Sequence, residues 1–470
     1  MSLPNIQEAI ATIRTLPEAL NVIEQLMSIN HQLIQRIEVL EREVARLKGQ
    51  PKKPTYASSS SQSSASLRTQ PQEKTHHKSV KDIPIDHTET LSEVDRCTCG
   101  CADFISVRTW EKTVQGIIIR RDNVRYRGRD KTCRGCGTLW RSALPAGTAG
   151  HQFSPELKSW ISIFKYDCRL SEGLIHRLLS GMGVAISRGH INELIGDNAQ
   201  KLECSYTHLK VWGIKLSAYF HTDATGHLRQ IVGRGGKMVT EHLQIVCHRF
   251  LSLFRITRRY NAKTVGDTVI GKRGSGAICI SDDGSPNGTL LRIAKKQLCW
   301  IHELRHYAKL LPVVKNHQRE TTSVLMQFWQ WYWRAKDYGR DPTEEKRRWL
   351  EKQFDRIVEM KTAYAELYNR LRLTARKKDR LLLFLEYPGI PIENNQAERD
   401  LRFAVILRKL TGGTRSPGGN KSLQRHLSVL QTIRKQGLPL FETFHGLLMG
   451  TVDPFVLTAK TLPAIRHFPR

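Results

Sequence analysis

Two short apolar, strand-like runs each close on an aspartate, and a helix far downstream opens on a glutamate; no other feature constrains this chain as much. The runs are WGIKLSAYFHTD, ending at Asp223, and GAICISDD, ending at Asp282 and Asp283; the glutamate is Glu398 in PIENNQAERDLR. A β-branched apolar run of four to eight residues reads as a buried strand. A carboxylate at the end of such a strand is rigidly aimed. Each acid also has a plain local role. Aspartate before Thr or Gly is ordinary turn chemistry, and Asn395 with Glu398 three residues on has the spacing of a capping box. The three acids together, in the order strand, strand, helix, can converge on a pair of divalent ions.

Charge narrows the partners. Lys and Arg number 74 against 44 Asp and Glu, a net charge of +30 over 470 residues. Such an excess favours polyanions, nucleic acid first. The start, MSLPNIQEAI, lacks the basic and apolar regions of a secretory signal, and no apolar run reaches membrane-spanning length. No membrane partner is therefore expected, and ten cysteines with one tight cluster suit a reducing cytoplasm and one metal site.

The chain reads as a multidomain α/β protein of seven stretches. Residues 1–50 carry a heptad with Ile23, Asn30, Ile37 and Val44 at a and Leu26, Leu33, Leu40 and Leu47 at d. That pattern predicts a parallel two-stranded coiled coil and a homodimer or larger assembly. Residues 51–90, rich in Ser, Pro, Gln and Lys, cannot bury a core and predict a flexible linker. Residues 91–142 hold CTCGC and CRGCG around a strand-like stretch, the outline of a zinc ribbon. Cys97, Cys99, Cys133 and Cys136 are its expected Zn²⁺ ligands, with Cys101 the alternative in the first knuckle.

Residues 143–208 predict helices, including a helix-turn-helix whose second helix is capped by Ser187 and presents Arg188, His190 and Asn192 to DNA. Cys168 and Cys204 are expected in the helical core. Residues 209–298 change to α/β, 299–385 read as a helical insertion, and 386–470 as the Glu398 helix with a helical tail. In the insertion, Leu325, Phe328, Trp329 and Tyr332 follow a core stripe, whereas Trp331 and Trp333 are expected to project elsewhere, toward unstacked DNA ends.

HTDATG, the SDDG strand end, CWIHELRHY, PIENNQAERDLR and GGTRSPGGNKSLQRHLSVLQTIRKQGL together resemble the insertion-sequence sixty-six family of bacterial transposases. The resemblance covers most of the chain, with the coiled coil, ribbon and helix-turn-helix in the family's order. It implies an RNase H-like core with an Asp-Asp-Glu triad. In this chain the triad falls on Asp223, Asp282 (Asp283 if the match slides by one) and Glu398, holding Mg²⁺ or Mn²⁺. It further implies double-stranded DNA as partner, at element ends and target, helper proteins from neighbouring reading frames, and a bacterial, nucleoid-associated location. Arg399, Arg402, Arg408, Lys409 and Arg415 are the expected phosphate contacts. Ala224 stands where the family usually has an acid, and Leu410-Thr411-Gly412-Gly413 where it has an aromatic-rich run, which marks a divergent branch. A catalytically silent, DNA-binding repressor is the alternative within this reading.

One motif points elsewhere. His302-Glu303-Leu304-Arg305-His306 spells HExxH, the helix of zinc metallopeptidases, with Glu303 as base. It lacks a third ligand at a familiar spacing, and it falls inside one of the transposase-like blocks. The expectation is that Cys299 and its neighbouring histidine brace the insertion against the core.

Overall fold

A computed structural model describes residues 152–213, 217–230, 238–259, 277–284 and 295–459, most of 85–145, and scattered positions over 19–36. It divides into two compact units, residues 35–122 and the remainder. The smaller unit contains a turn in which the Cys97 amide donates to the Cys101 carbonyl at 2.8 Å and the Gly100 amide to the Cys97 carbonyl at 2.8 Å. The described residues between 19 and 36 are helical, and Ile23 and Leu33 stand half exposed there. Ile37, Leu40, Val44 and Leu47 lie outside the described residues.

The larger unit begins with a two-residue pair, β1 (Lys131–Thr132) antiparallel to β2 (Leu139–Trp140). Helices α1 (Pro155–Tyr166), α2 (Glu172–Gly181), α3 (Arg188–Lys201) and α4 (Glu203–His208) follow. Ser154, Ser171 and Ser187 cap the first three through their side-chain oxygens, which satisfies amides that the first helical turn leaves without partners. Cys168 and Cys204 are exposed rather than in the core: one follows the C-terminus of α1, and the other lies on the outer side of α4.

A five-stranded mixed sheet comes next, in the order β5-β4-β3-β6-β7. Its strands are β3 (Tyr219–Gln230), β4 (Met238–His248), β5 (Leu251–Thr257), β6 (Ile278–Ser281) and β7 (Lys296–Leu298). The first three are antiparallel, and β6 and β7 run parallel to β3. Two sequence readings change here. Asp223 lies in the middle of β3, because the polar continuation to Gln230 still pairs with β4. Lys296–Leu298, expected in a helix, form β7.

The insertion comprises α5 (Trp300–Ala308), α6 (Lys315–Tyr338), α7 (Glu344–Val358), α8 (Ala365–Ala375) and the short α9 (Lys378–Leu381). It has its own apolar core around Trp300, Phe328, Trp331, Phe354 and Phe384. Trp331 is 1% exposed and its indole donates to the Leu350 carbonyl at 2.8 Å, so it does not project outward; Trp333 does, at 42% exposure. The chain closes with α10 (Asn395–Thr411), α11 (Pro417–Gln436) and α12 (Leu440–Met449). Ala397, Leu401, Ala404 and Leu407 form the buried stripe of α10, in the same apolar cluster as the sheet residues Phe220 and Ile245.

Helix α11 also closes the sheet's open edge. An edge strand exposes a row of amides that invites foreign pairing. Here the amides of Ser252, Phe254 and Ile256 on β5 donate to Thr432 Oγ1 (3.2 Å), Ser428 Oγ (2.9 Å) and Gln424 Oε1 (3.0 Å) on α11. Two residues of strand advance about 6.8 Å, and four residues of helix about 6 Å. Polar residues at every fourth helical position therefore match every second amide of the strand.

Candidate active site

The pairing of β3 with β6 places the two aspartates. Tyr219, Phe220 and His221 sit opposite Ile278, Cys279 and Ile280. Continuing that register by two residues sets Asp282 beside Asp223, and alternation along each strand puts both on the same face of the sheet. Adjacent strands lie about 4.8 Å apart, so the two carboxylates are neighbours.

Asp283 falls on the opposite face. It is ion-paired to Lys377 at 2.6 Å and Arg380 at 3.6 Å from the insertion. Burial alone would raise its carboxyl, but the Lys377 hydrogen bond and the cationic charge outweigh that and hold it below the usual range. Asp282, which bonds the Gly284 amide at 3.2 Å, is the strand-end acid turned toward Asp223.

Glu398 occupies the first turn of α10. The capping box expected from Asn395 does not form. Asn394 is the residue before the helix, and its side chain makes no capping bond. Instead its Nδ2 donates to the Thr222 carbonyl at 3.0 Å, its Oδ1 lies 3.1 Å from Nδ1 of His221, and its amide donates to Cys299 Sγ at 3.1 Å. Asn394 is fully buried. It ties the start of the glutamate helix to the residue preceding Asp223 and to the residue preceding α5. Sequence reasoning passed over it because its neighbour offered a local helix cap. Burial holds His221 neutral, with its pKa lowered to about 4.

The electrostatics follow from this convergence. Asp223 is raised to about 6, first by burial, against the Ala224 amide that bonds it at 2.7 Å, and further by the charges of Asp282 and Glu398. On the helix side, Glu398 Oε1 meets His302 Nε2 at 3.5 Å and Arg305 Nη1 at 3.4 Å. His302 Nδ1 is buried with no hydrogen-bond partner among the described residues. Three oxygen donors carrying excess negative charge suit a hard divalent cation such as Mg²⁺ or Mn²⁺. Among the described residues no three His, Cys, Asp or Glu side chains are already arranged as a metal cage.

Glu303 of the HELRH motif is 3% exposed and bonds Arg370, Thr374 Oγ1 (2.5 Å) and Lys377 (3.4 Å). A carboxylate sequestered in that ion-pair cluster cannot serve a peptidase as base. His302, one residue before it, faces Glu398 instead. The bracing expected of the Cys299 region is made by its thiol, which receives the Asn394 amide.

Cys133 and Cys136 flank a turn in which the Cys133 amide donates to Thr138 at 2.9 Å and the Gly137 amide to Cys133 at 2.9 Å. The Thr138 hydroxyl beside Cys136 lowers that thiol to about 7, toward the thiolate a metal requires. Cys97, Cys99 and Cys101 belong to the other unit, and all five are exposed free thiols. Arg399, Arg402, Lys409 and Arg415 are exposed, and Arg408 reaches Thr225 Oγ1 at 3.4 Å.

On α3, Arg188 is exposed, His190 packs edge-on against Phe153, and Asn192 donates to Glu172 Oε2 at 2.8 Å. The Arg188–Asn192 face lines a cleft opposite α11 instead of standing clear of its own chain. Among the described residues no helix is long and apolar enough to cross a membrane.

Comparison with known proteins places the chain in a family. An uncharacterized protein of Sinorhizobium fredii, y4jO, is 34% identical over 174 residues, which are 37% of this chain and 50% of the relative. The chain thus spans about half the length of the curated relative it matches. The sequence profile of the transposase IS66 family matches residues 150–422, more than half of the chain and the whole stretch that carries Asp223, Asp282 and Glu398. The chain belongs to the IS66 family of transposases.

Proposed function

We propose that this protein is a DNA transposase that binds the ends of its element and carries out metal-dependent strand cleavage and transfer through Asp223, Asp282 and Glu398. The observation that carries the reading is the register of β3 and β6, which sets Asp282 beside Asp223. Asn394 adds the anchoring of the Glu398 helix to the same strand. The order β5-β4-β3-β6-β7, three antiparallel strands followed by two parallel ones, supports an RNase H-like core.

Asp223, Asp282 and Glu398 hold Mg²⁺ or Mn²⁺ in this reading. When bound, a pair of such ions neutralises the attacking and leaving oxygens of an in-line displacement at phosphorus. Arg305 offsets the charge of Glu398, and His302 Nε2 faces the same carboxylate oxygen. Arg399 and Arg402, exposed on α10, and Arg408 at Thr225 orient the sugar–phosphate backbone. Hydrolysis of the phosphodiester at the element's end leaves a 3′-hydroxyl. That hydroxyl then attacks a phosphodiester of target DNA and displaces its 3′ oxygen.

Zn²⁺ bound by Cys97, Cys99, Cys133 and Cys136, self-association through residues 1–50, and helper proteins complete the proposal. Its test is strand cleavage, with Mg²⁺ or Mn²⁺, of duplexes taken from the repeats flanking the gene. Wild type cuts, and Asp223→Ala, Asp282→Ala and Glu398→Ala each bind the duplex but do not cut it. Cleavage that persists in all three variants contradicts the assignment.

A further inference from the structure

Beside the N-terminal half of α11 lies a cleft of about 1030 Å³, walled by α3 on one side and by the segment following α10 on the other. Its acids are already engaged. Glu172 is paired with Lys165 and bonded by Asn192, and Glu203 is paired with Arg425. Its cations are less engaged. Arg188, Arg415 and Lys421 all line it, all are exposed, and none makes an ion pair among the described residues. Gly173, Gly196, Gly418 and Gly419 also line it. At Gly196 an added Cβ would meet nothing within 4 Å, and Gly418 and Gly419 would meet mainly side chains of Ser416 and Thr414. A groove with three exposed cations outside ion pairs and with bare backbone suits a strand of phosphates better than an apolar or cationic ligand.

The cleft is rigidly linked to the acids. Helix α10 runs from Glu398 in its first turn to Thr411, where Gly412 (φ 73°) and Gly413 (φ 101°) end it. A Cβ on Gly413 would lie 2.2 Å from the Leu228 carbonyl oxygen. That close approach lets Thr414 bond β3 through Leu228 O (3.1 Å) and the Gln230 amide (2.9 Å). Arg415 is therefore fixed to the strand that carries Asp223. Thirteen helical residues span about 20 Å, which is about six steps of a B-form strand at 3.4 Å each.

We infer that this cleft grips the sugar–phosphate backbone of one strand of the bound duplex about six base pairs from the bond to be cut, with Arg188, Arg415 and Lys421 as its phosphate contacts. This rests on the DNA reading above and replaces major-groove reading by α3 with backbone contact. Grip and acids then move as one body, so the cleft sets where along the duplex the scissile bond falls.

The test is fluorescence anisotropy of the full chain with a labelled duplex of arbitrary sequence, over a series of salt concentrations. The triple variant Arg188→Ala, Arg415→Ala, Lys421→Ala binds at least tenfold more weakly, and its log-affinity against log-salt slope is shallower by about 2 to 3. Gly196→Glu, placed where a side chain has room and where Gly is the poorer helix former, weakens binding with an unchanged or raised melting temperature. Lys352→Ala, a surface cation on the insertion, changes neither quantity. Wild-type binding with an unchanged slope in the triple variant, or equal losses in Lys352→Ala, overturns the cleft while leaving the transposase reading in place. No binding by wild type at low salt overturns both.

Discussion

The side chain of Asn394 donates to the carbonyl of Thr222 at 3.0 Å, so the helix bearing Glu398 is pinned to the residue that precedes Asp223. One amide group thus couples the third acid to the first. Asn394→Ala leaves His221, the Thr222 carbonyl and a buried void without partners. At about 1–3 kcal/mol for each buried group left unsatisfied, the loss of stability comes to about 3 kcal/mol. Chemical denaturation measures it, and cleavage falls at least as far as in Arg399→Ala. An unchanged midpoint removes Asn394 from the framework.

Divalent binding follows the protonation of Asp223. A metal takes the ionised carboxylate, so with a pKa near 6 the melting-temperature rise given by Mn²⁺ is full at pH 7.5 and fades as pH falls through about 6. The metal-free protein behaves oppositely at this residue. The folded pKa lies above the usual value near 4, so the stabilisation is complete below about 4 and disappears as pH rises through 6. Asp223→Asn removes both responses, which differential scanning fluorimetry records.

Acid destabilises the fold as a whole. His221, His248 and His426 are held neutral by burial, with pKa values lowered to about 4, 3 and 3. Unfolded histidines protonate near 6.5. The stability these groups contribute is present above about 6.5 and is lost as pH falls toward 4 and 3. Between about pH 4 and 6 the unfolded chain holds up to three more protons, a slope of at most roughly 4 kcal/mol per pH unit. Denaturation midpoints measured across that window check the sign.

Glu303 is structural. Glu303→Gln removes the carboxylate paired with Arg370 and leaves Lys377 with Asp283 alone, and removing one partner from a buried ion pair costs about 3–5 kcal/mol. A destabilised insertion and no change in peptide hydrolysis are expected. Peptidase activity that disappears with this variant reverses the assignment.

The edge clamp predicts an aggregation phenotype. Ser428→Val leaves the Phe254 amide without its acceptor, at a cost of about 1–3 kcal/mol. It also opens part of β5 to foreign pairing, so light scattering on mild heating rises sooner than in wild type.

What the sequence made legible was periodic or concentrated. Apolar, strand-like runs located the strands that carry Asp223 and lead to Asp282, a helical pattern located the insertion, and the block around Glu398 located the third acid. Strand β7 escaped because three residues, Lys-Gln-Leu, carry no pattern, and its pairing with β6 is tertiary. The extension of β3 beyond Asp223 escaped because His-Leu-Arg-Gln is polar; only the pairing with β4 holds it extended. Trp331 went inward because it lies on the buried stripe of α6 through Thr321, Val324, Phe328, Ala335 and Tyr338, one position round from the stripe through Leu325 and Trp329. Asn394 carries no local signal at all, since its three partners come from β3 and the start of α5. The polar spacing of Gln424, Ser428 and Thr432 was visible in the sequence, but it acquires meaning only once an edge strand lies alongside it.

Anomalous diffraction from crystals of the full chain grown with Mn²⁺ tests the central claim most directly. Two manganese peaks among the carboxylates of Asp223, Asp282 and Glu398, absent from an Asp223→Ala crystal, are the expected result. Manganese bound elsewhere, with those three side chains unoccupied in protein that cleaves DNA, contradicts it.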